Sequence, residues 1–186
     1  MSLERVLSFA KFGPNSNIVN ARPTVLVVSS AGYIENLKDA LLLENKQQCS
    51  NAIQFIFCEH VEDVMEWTSH NQLSRVDYIV IVLDPRESTC ITTAEDNISK
   101  IDSTYIEAGR LCFVNGACGM RPADMGISLG HINVMSQKYS VMLINGDVLN
   151  AEKCLHLSSS IVRLVSIVIG VQTGVPMSVD IPGYFS

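Results

Sequence analysis

The chain has 186 residues, 47% of them hydrophobic and 17% charged, and its 13 Lys+Arg against 19 Asp+Glu give a formal net charge of -6. Such a length suits one compact domain, and the apolar content excludes disorder as an overall description. The Lys and Arg residues are scattered, the closest pair being Arg5 and Lys11, so the clustered cations that a nucleic-acid backbone or an anionic membrane needs are missing and neither is expected as a partner.

In chain order, residues 1–22 read as a flexible N-terminal arm, with a turn cluster at Gly13, Pro14, Asn15, Ser16 and Asn17. Glu4 and Arg5 within the first ten residues argue against a secretory signal. A single α/β domain is expected over residues 23–175. Its first strand is the β-branched run Thr24 to Ser29, suited to burial on both faces. Ile34, Leu37 and Leu41 then repeat at helical spacing, and Ile53 to Phe57 is the second strand. The segment from Glu59 to Ser74 is polar, with a short helix around Val61 to Trp67.

Asp77 to Leu83 is the strongest strand, stopped by Asp84-Pro85. Ser88 or Thr89 is placed to cap a helix with the stripe Ile91, Ala94, Ile98 and Ile101. Leu111 to Val114 is a fourth strand, Ile127 to Met135 a weaker helix, and Val141 to Ile144 a fifth strand. A long helix follows from Ala151 to Ile169, capped by Asn150 and ended at Gly170. Its most apolar part, Ile161 to Val171, is interrupted only by Arg163, Ser166 and Gly170. It is much shorter than the about 20 residues of a membrane helix, so a soluble, intracellular protein is expected. The three interruptions fall on one narrow stripe, which predicts that the helix is covered on its flanks too. Residues 176–186 read as an extended tail. The fold class that follows is α/β: an open, mainly parallel sheet with helices on both faces.

Ligands of such sheets sit beyond the carboxyl ends of the strands. A phosphate-cradling G-x-x-x-x-G-K-[ST] begun at the end of the first strand would fall on Ser29, Ile34, Glu35 and Asn36. Neither glycine is present, and an acid stands where the motif has its lysine. After the fourth strand, where a guanine-binding protein carries N-K-x-D, the motif positions hold Gly116, Ala117 and Gly119. None of them can read a base, and Asn115-Gly116 is better understood as a tight turn.

The remaining candidates are thin. Cys58 and His60 lack a second pair of metal ligands. His131 and His156 stand alone, and Cys118 lies in a Gly-rich turn with no evident base. Asp84 occupies a common place for a Mg²⁺ ligand, though Asp-Pro also simply ends a strand. Glu62, Asp63 and Glu66 look like a solvated face. Cys49, Cys58, Cys90, Cys112, Cys118 and Cys154 form no CxxC pair and read as small thiols in a reducing compartment. No catalytic residue, metal or cofactor is expected, and an interaction subunit is favoured over a degenerate nucleotide hydrolase or a thiol enzyme.

The stretch from Arg75 to Leu83, the helix running to Ile101-Asp102, Gly109 to Val114 and the later Gly174-Val175 resemble the centromere protein M family. The similarity runs from Thr24 to Ile181 and is strongest from Arg75 to Gly119. That resemblance implies a Ras-type small-GTPase fold stripped of its nucleotide site. It also implies a non-enzymatic subunit of the inner kinetochore in the nucleus, bound to centromere proteins I, H and K and acting in kinetochore assembly and cell division. Val175, Met177, Val179 and Ile181 alternate with polar residues and prolines, giving the tail one apolar face. Tyr105 and Ile106, expected in a turn, are paired here with Val179 and Ile181 as a protein-binding patch, for which the resemblance implies centromere protein I.

Overall fold

A computed structural model describes residues 22–49, 52–64 and 76–170. Thr24–Val28 (β1), Gln54–Cys58 (β2), Tyr78–Leu83 (β3), Leu111–Asn115 (β4) and Met142–Asn145 (β5) form one sheet in the order β2-β1-β3-β4-β5. Every neighbouring pair is parallel. β1, β3 and β4 are buried along their whole length, while the edge strands β2 and β5 are only partly covered. That is why the three central strands are continuous apolar runs rather than alternating ones.

Successive strand residues point to opposite faces, which divides the core in two. Leu26, Val28, Ile79, Ile81, Leu83 and Phe113 face one side; Val25, Val27, Tyr78, Val80, Cys112 and Val114 face the other. The second side is covered by the helices Ala31–Cys49 (α1) and Ala151–Val168 (α5), which supply Leu37 and Leu41, and Leu157, Ile161 and Val165. The first side is covered by Cys90–Ser99 (α2), Ser103–Glu107 (α3) and Leu129–Tyr139 (α4), through Ala94, Ile98, Tyr105, Ile132 and Met135. A domain with helices on both faces of a parallel sheet is the α/β architecture expected from the sequence.

Local chemistry explains several departures from expectation. α1 begins three residues before Ile34, and its buried stripe is Tyr33, Leu37, Ala40 and Leu41, so Tyr33 displaces Ile34 as the first inward residue. Thr89 precedes α2 with helical backbone angles and no side-chain cap, so the expected hydroxyl cap is not made. Asn150 does cap α5, its Oδ1 accepting from the Lys153 amide at 3.0 Å, and Gly170 ends that segment in a left-handed conformation with φ 79°. Ser166 is fully buried while Arg163 is exposed, so the two do not share a solvent stripe. The outer face of α5 instead shows Ile167, 54% exposed. The expected turn around Tyr105 and Ile106 is α3, capped by Asp102, whose Oδ1 accepts from the Thr104 amide at 2.9 Å. Of the short helix expected over 61–67, residues 61–64 are helical and the rest lie outside the described residues.

No described helix is long and apolar enough to cross a membrane.

Candidate functional site

The strand order places the topological switch point between β1 and β3, where a doubly wound sheet opens its crevice. A crevice of about 330 Å³ lies there, lined among others by Ser29, Ser30, His60, Asp84, Glu87 and Cys90.

Its shape is set by how briefly the chain pauses between β1 and α1. The strand ends at Val28 and the helix starts at Ala31, leaving only Ser29 and Ser30 between them. The Tyr33 and Ile34 amides already donate to the Ser30 carbonyl at 3.0 and 3.2 Å. A phosphate-cradling loop has four residues between its glycines, with amides turned inward around the anion. A two-residue connection has no arc to wrap. Ser29 is 2% exposed and lines the crevice, and its hydroxyl has no partner among the described residues. Ile34, Glu35 and Asn36, by contrast, lie within α1 and outside the crevice lining. Glu35 is exposed, and the Asn36 amide donates to the Val148 carbonyl at 3.3 Å. No phosphate loop therefore stands between β1 and α1, and that holds whatever residue occupies position 35.

Beside the crevice stands a compact polar cluster. The buried Tyr33 hydroxyl donates to Asp84 Oδ1 at 3.0 Å. Arg86 donates to the same oxygen from Nε at 2.8 Å and from its backbone amide at 3.1 Å, and to Oδ2 from Nη2. The Arg86 guanidinium also lies 4.8 Å from the Tyr33 ring centre, a cation–π contact. Burial by itself would raise the Asp84 pKa, but the bonds from Arg86 and Tyr33 outweigh it and leave the carboxyl below its ordinary value. Burial, then the Asp84 charge, raises the Tyr33 phenol; the bond to Asp84 raises the Arg86 guanidinium. All three groups thus keep their ordinary charge states at neutral pH.

Tyr33 reaches across to the end of β4 as well. A Cβ on Gly116 would lie 2.6 Å from Tyr33 Cε2, so only glycine fits against the ring. The Gly116 amide donates to the Leu83 carbonyl at 3.0 Å. Asn115 Oδ1 accepts from the Ala117 amide at 3.3 Å, and its Nδ2 donates to Asn145 Oδ1 at 3.1 Å. The turn expected at Asn115-Gly116 is thus made by a side chain bonding its own backbone. Ala117 is buried, and Gly119 takes a φ of 111°. None of these positions offers a carboxylate to a base.

The other sequence candidates separate in space. Burial, followed by the charges of Asp63 and Glu59, pushes the Cys58 thiol up to about 12, while His60 is exposed. Among the described residues no group of three or more His, Cys, Asp or Glu is placed to hold a metal ion. His131 Nδ1 bonds the Ser128 hydroxyl at 2.9 Å near the start of α4. Cys118 shares a recess with Lys153 and His156, but no hydrogen bond joins the thiol to either. Glu62 pairs with Lys100 at 3.0 Å and Asp63 accepts from the His60 amide at 3.1 Å. Glu66 lies outside the described residues.

The proposed binding patch needs one correction. Tyr105 is 0% exposed, and its hydroxyl donates to the Val76 carbonyl at 2.9 Å, so it belongs to the core. Ile106 is half-buried against that same core. Val179 and Ile181 lie outside the described residues. Sequence reasoning missed Tyr33 and Arg86. The spacing of Tyr33 four residues before Leu37 was the available signal for the first; nothing local marked the second.

Fold and site together define a doubly wound α/β protein whose own side chains occupy the place beside its switch-point crevice. The family model described as "Centromere protein M (CENP-M)" matches residues 17–180. The chain belongs to the centromere protein M family, and is by that membership a protein of the centromere and kinetochore. No curated protein matches it. Among solved structures it is similar to a diflavin flavoprotein A3 from Nostoc sp., at 12% identity and a TM-score of 0.43, covering 79% of this chain and 94% of that one. That likeness is too distant to argue from.

Proposed function

We propose that the chain is a non-enzymatic interaction subunit of the inner kinetochore in the nucleus, a pseudo-GTPase in the sense that a GTPase-like frame serves protein contacts. It binds and stabilises centromere protein I together with centromere proteins H and K, and so supports kinetochore assembly and chromosome segregation. The observation that carries this reading is the two-residue Ser29-Ser30 connection in place of a phosphate loop. The crevice lining supports it: it carries Glu59 and Glu87, and its third acid, Asp84, is already taken by Arg86. For the partner surface, Ile106 with Val179 and Ile181 stays as proposed, with Tyr105 supporting Ile106 from beneath.

The test is co-expression with centromere proteins H, I and K. Ile106→Glu combined with Val179→Glu is expected to leave the chain folded by circular dichroism yet abolish co-purification. A folded double variant that still co-purifies would overturn the proposed surface.

A second reading, a degenerate nucleotide-binding protein, draws on one observation. The Ser29 and Ser30 hydroxyls and the start of α1 border a crevice at the switch point. Micromolar GTP binding by calorimetry would establish it.

A further inference from the structure

Away from the crevice, a groove of about 290 Å³ runs between α1 and the start of α5. Its floor includes the buried Ala40 and Val148, and its walls include Leu43, Leu149 and Leu155, which are 44%, 47% and 37% exposed. Leucines so placed contribute little to the chain's own core, and three of them around one groove form an apolar patch. Asp39 lines the same groove, and Glu152 stands one turn before Leu155. Both carboxylates are exposed, and neither is ion-paired among the described residues.

The comparable groove between α2 and α4 differs in this respect. It also carries an exposed aliphatic residue, Val134, but its Glu95 is already bound to Lys138 at 2.7 Å. Its charges are satisfied internally. Asp39, the one acid lining the α1–α5 groove, has no ion pair among the described residues.

We infer that the α1–α5 groove is a docking site for a short amphipathic segment of a partner protein, one that carries aliphatic anchors and a Lys or Arg beside them. The anchors fill the space between Leu43, Leu149 and Leu155, as an apolar helix face fills a groove. The cation meets Asp39 at the rim. A rim charge of this kind sets orientation and partner choice more than affinity. A second acidic surface, including another copy of this chain with its net charge of -6, is disfavoured there. The inference rests on the reading of the chain as an interaction subunit, but it names a surface distinct from Ile106 and the tail.

The experiment replaces Leu155 with the photo-crosslinker p-benzoylphenylalanine in the full chain, expressed in cells of its own source. A parallel chain carries the crosslinker at Leu43, which guards against one position simply perturbing the fold. Cross-linked peptides are then sequenced. The expected result is an adduct to another polypeptide, from both positions, on a segment with aliphatic residues at helical spacing and an adjacent Lys or Arg. Asp39→Lys is expected to lower the yield at least about threefold, the scale of one exposed ion pair turned repulsive. Adducts confined to this chain's residues 1–21 or 171–186, or to a second copy, would overturn the inference. So would no adduct, a target segment without a cation, or a yield indifferent to Asp39→Lys. Co-fractionation with centromere proteins H, I and K is followed in the same cells. Its retention with no groove adduct sinks the groove alone, and its absence with the expected adduct sinks the kinetochore reading alone.

Discussion

Asp84 is a buried carboxylate held by four donors from only two residues, Tyr33 and Arg86. Its folded pKa lies below the ordinary value, so its contribution is complete above the unfolded pKa of about 4 and fades as pH falls through the folded one. Asp84→Asn is therefore expected to destabilise the chain by about 1–3 kcal/mol at neutral pH, the cost of poorly matched buried donors. The gap in melting temperature between variant and parent should shrink below about pH 4, and a gap unchanged between pH 7 and 3 would refute the account. Gly116 gives a second test on the other side of the same tyrosine. Gly116→Ala forces a methyl against the Tyr33 ring and should cost about 1–3 kcal/mol. Tyr33→Ala removes a fully buried aromatic and should cost about 3–5 kcal/mol. In the double variant the two costs should fall short of additive by at least about 0.5 kcal/mol, because the ring that the methyl strikes has gone. Denaturant unfolding of the four proteins measures this.

Elements with a clear apolar period and a polar cap were legible in the sequence. α5 is the best case: Asn150 opens it, Gly170 follows it, and Ile161, Val162 and Val165 form its buried face. Asn150→Ala should lower stability by about 1 kcal/mol, read as a shift in denaturant midpoint with unchanged slope. α3 was not legible. Its five residues show no period, and a helix so short depends on the Asp102 cap and on Tyr105 anchoring to Val76. Solvent exposure was thereby assigned to a core tyrosine. α1 was legible in kind but not in phase. Ile34 is the more apolar neighbour, yet Tyr33 takes the inward position because its hydroxyl finds Asp84, a partner 51 residues away that spacing could not reveal.

At the scale of the whole molecule, alternating strands and helices announced a parallel α/β sheet, and its all-parallel order follows from the crossover helices. The missing motifs were visible as residue types, but their cause was not. A motif alignment assumes that the loop exists and asks what occupies it, whereas here only Ser29 and Ser30 join β1 to α1. The chain should accordingly show no rise in melting temperature with GTP, GDP or ATP and Mg²⁺. Ligand at 100 times its dissociation constant would add about 2.7 kcal/mol of stability, too large a change to miss in a thermal-shift assay. Lysine at position 35 alone should not create binding, since Glu35 lies within α1 and outside the crevice lining. The Tyr33–Asp84–Arg86 tie has a consequence for local opening. It joins the first turn of α1 to the end of β3, and the Tyr33 ring leans on the turn after β4. Tied in this way, the three segments are expected to loosen together rather than one at a time, which amide hydrogen exchange on Asp84→Asn would show as a shared loss of protection.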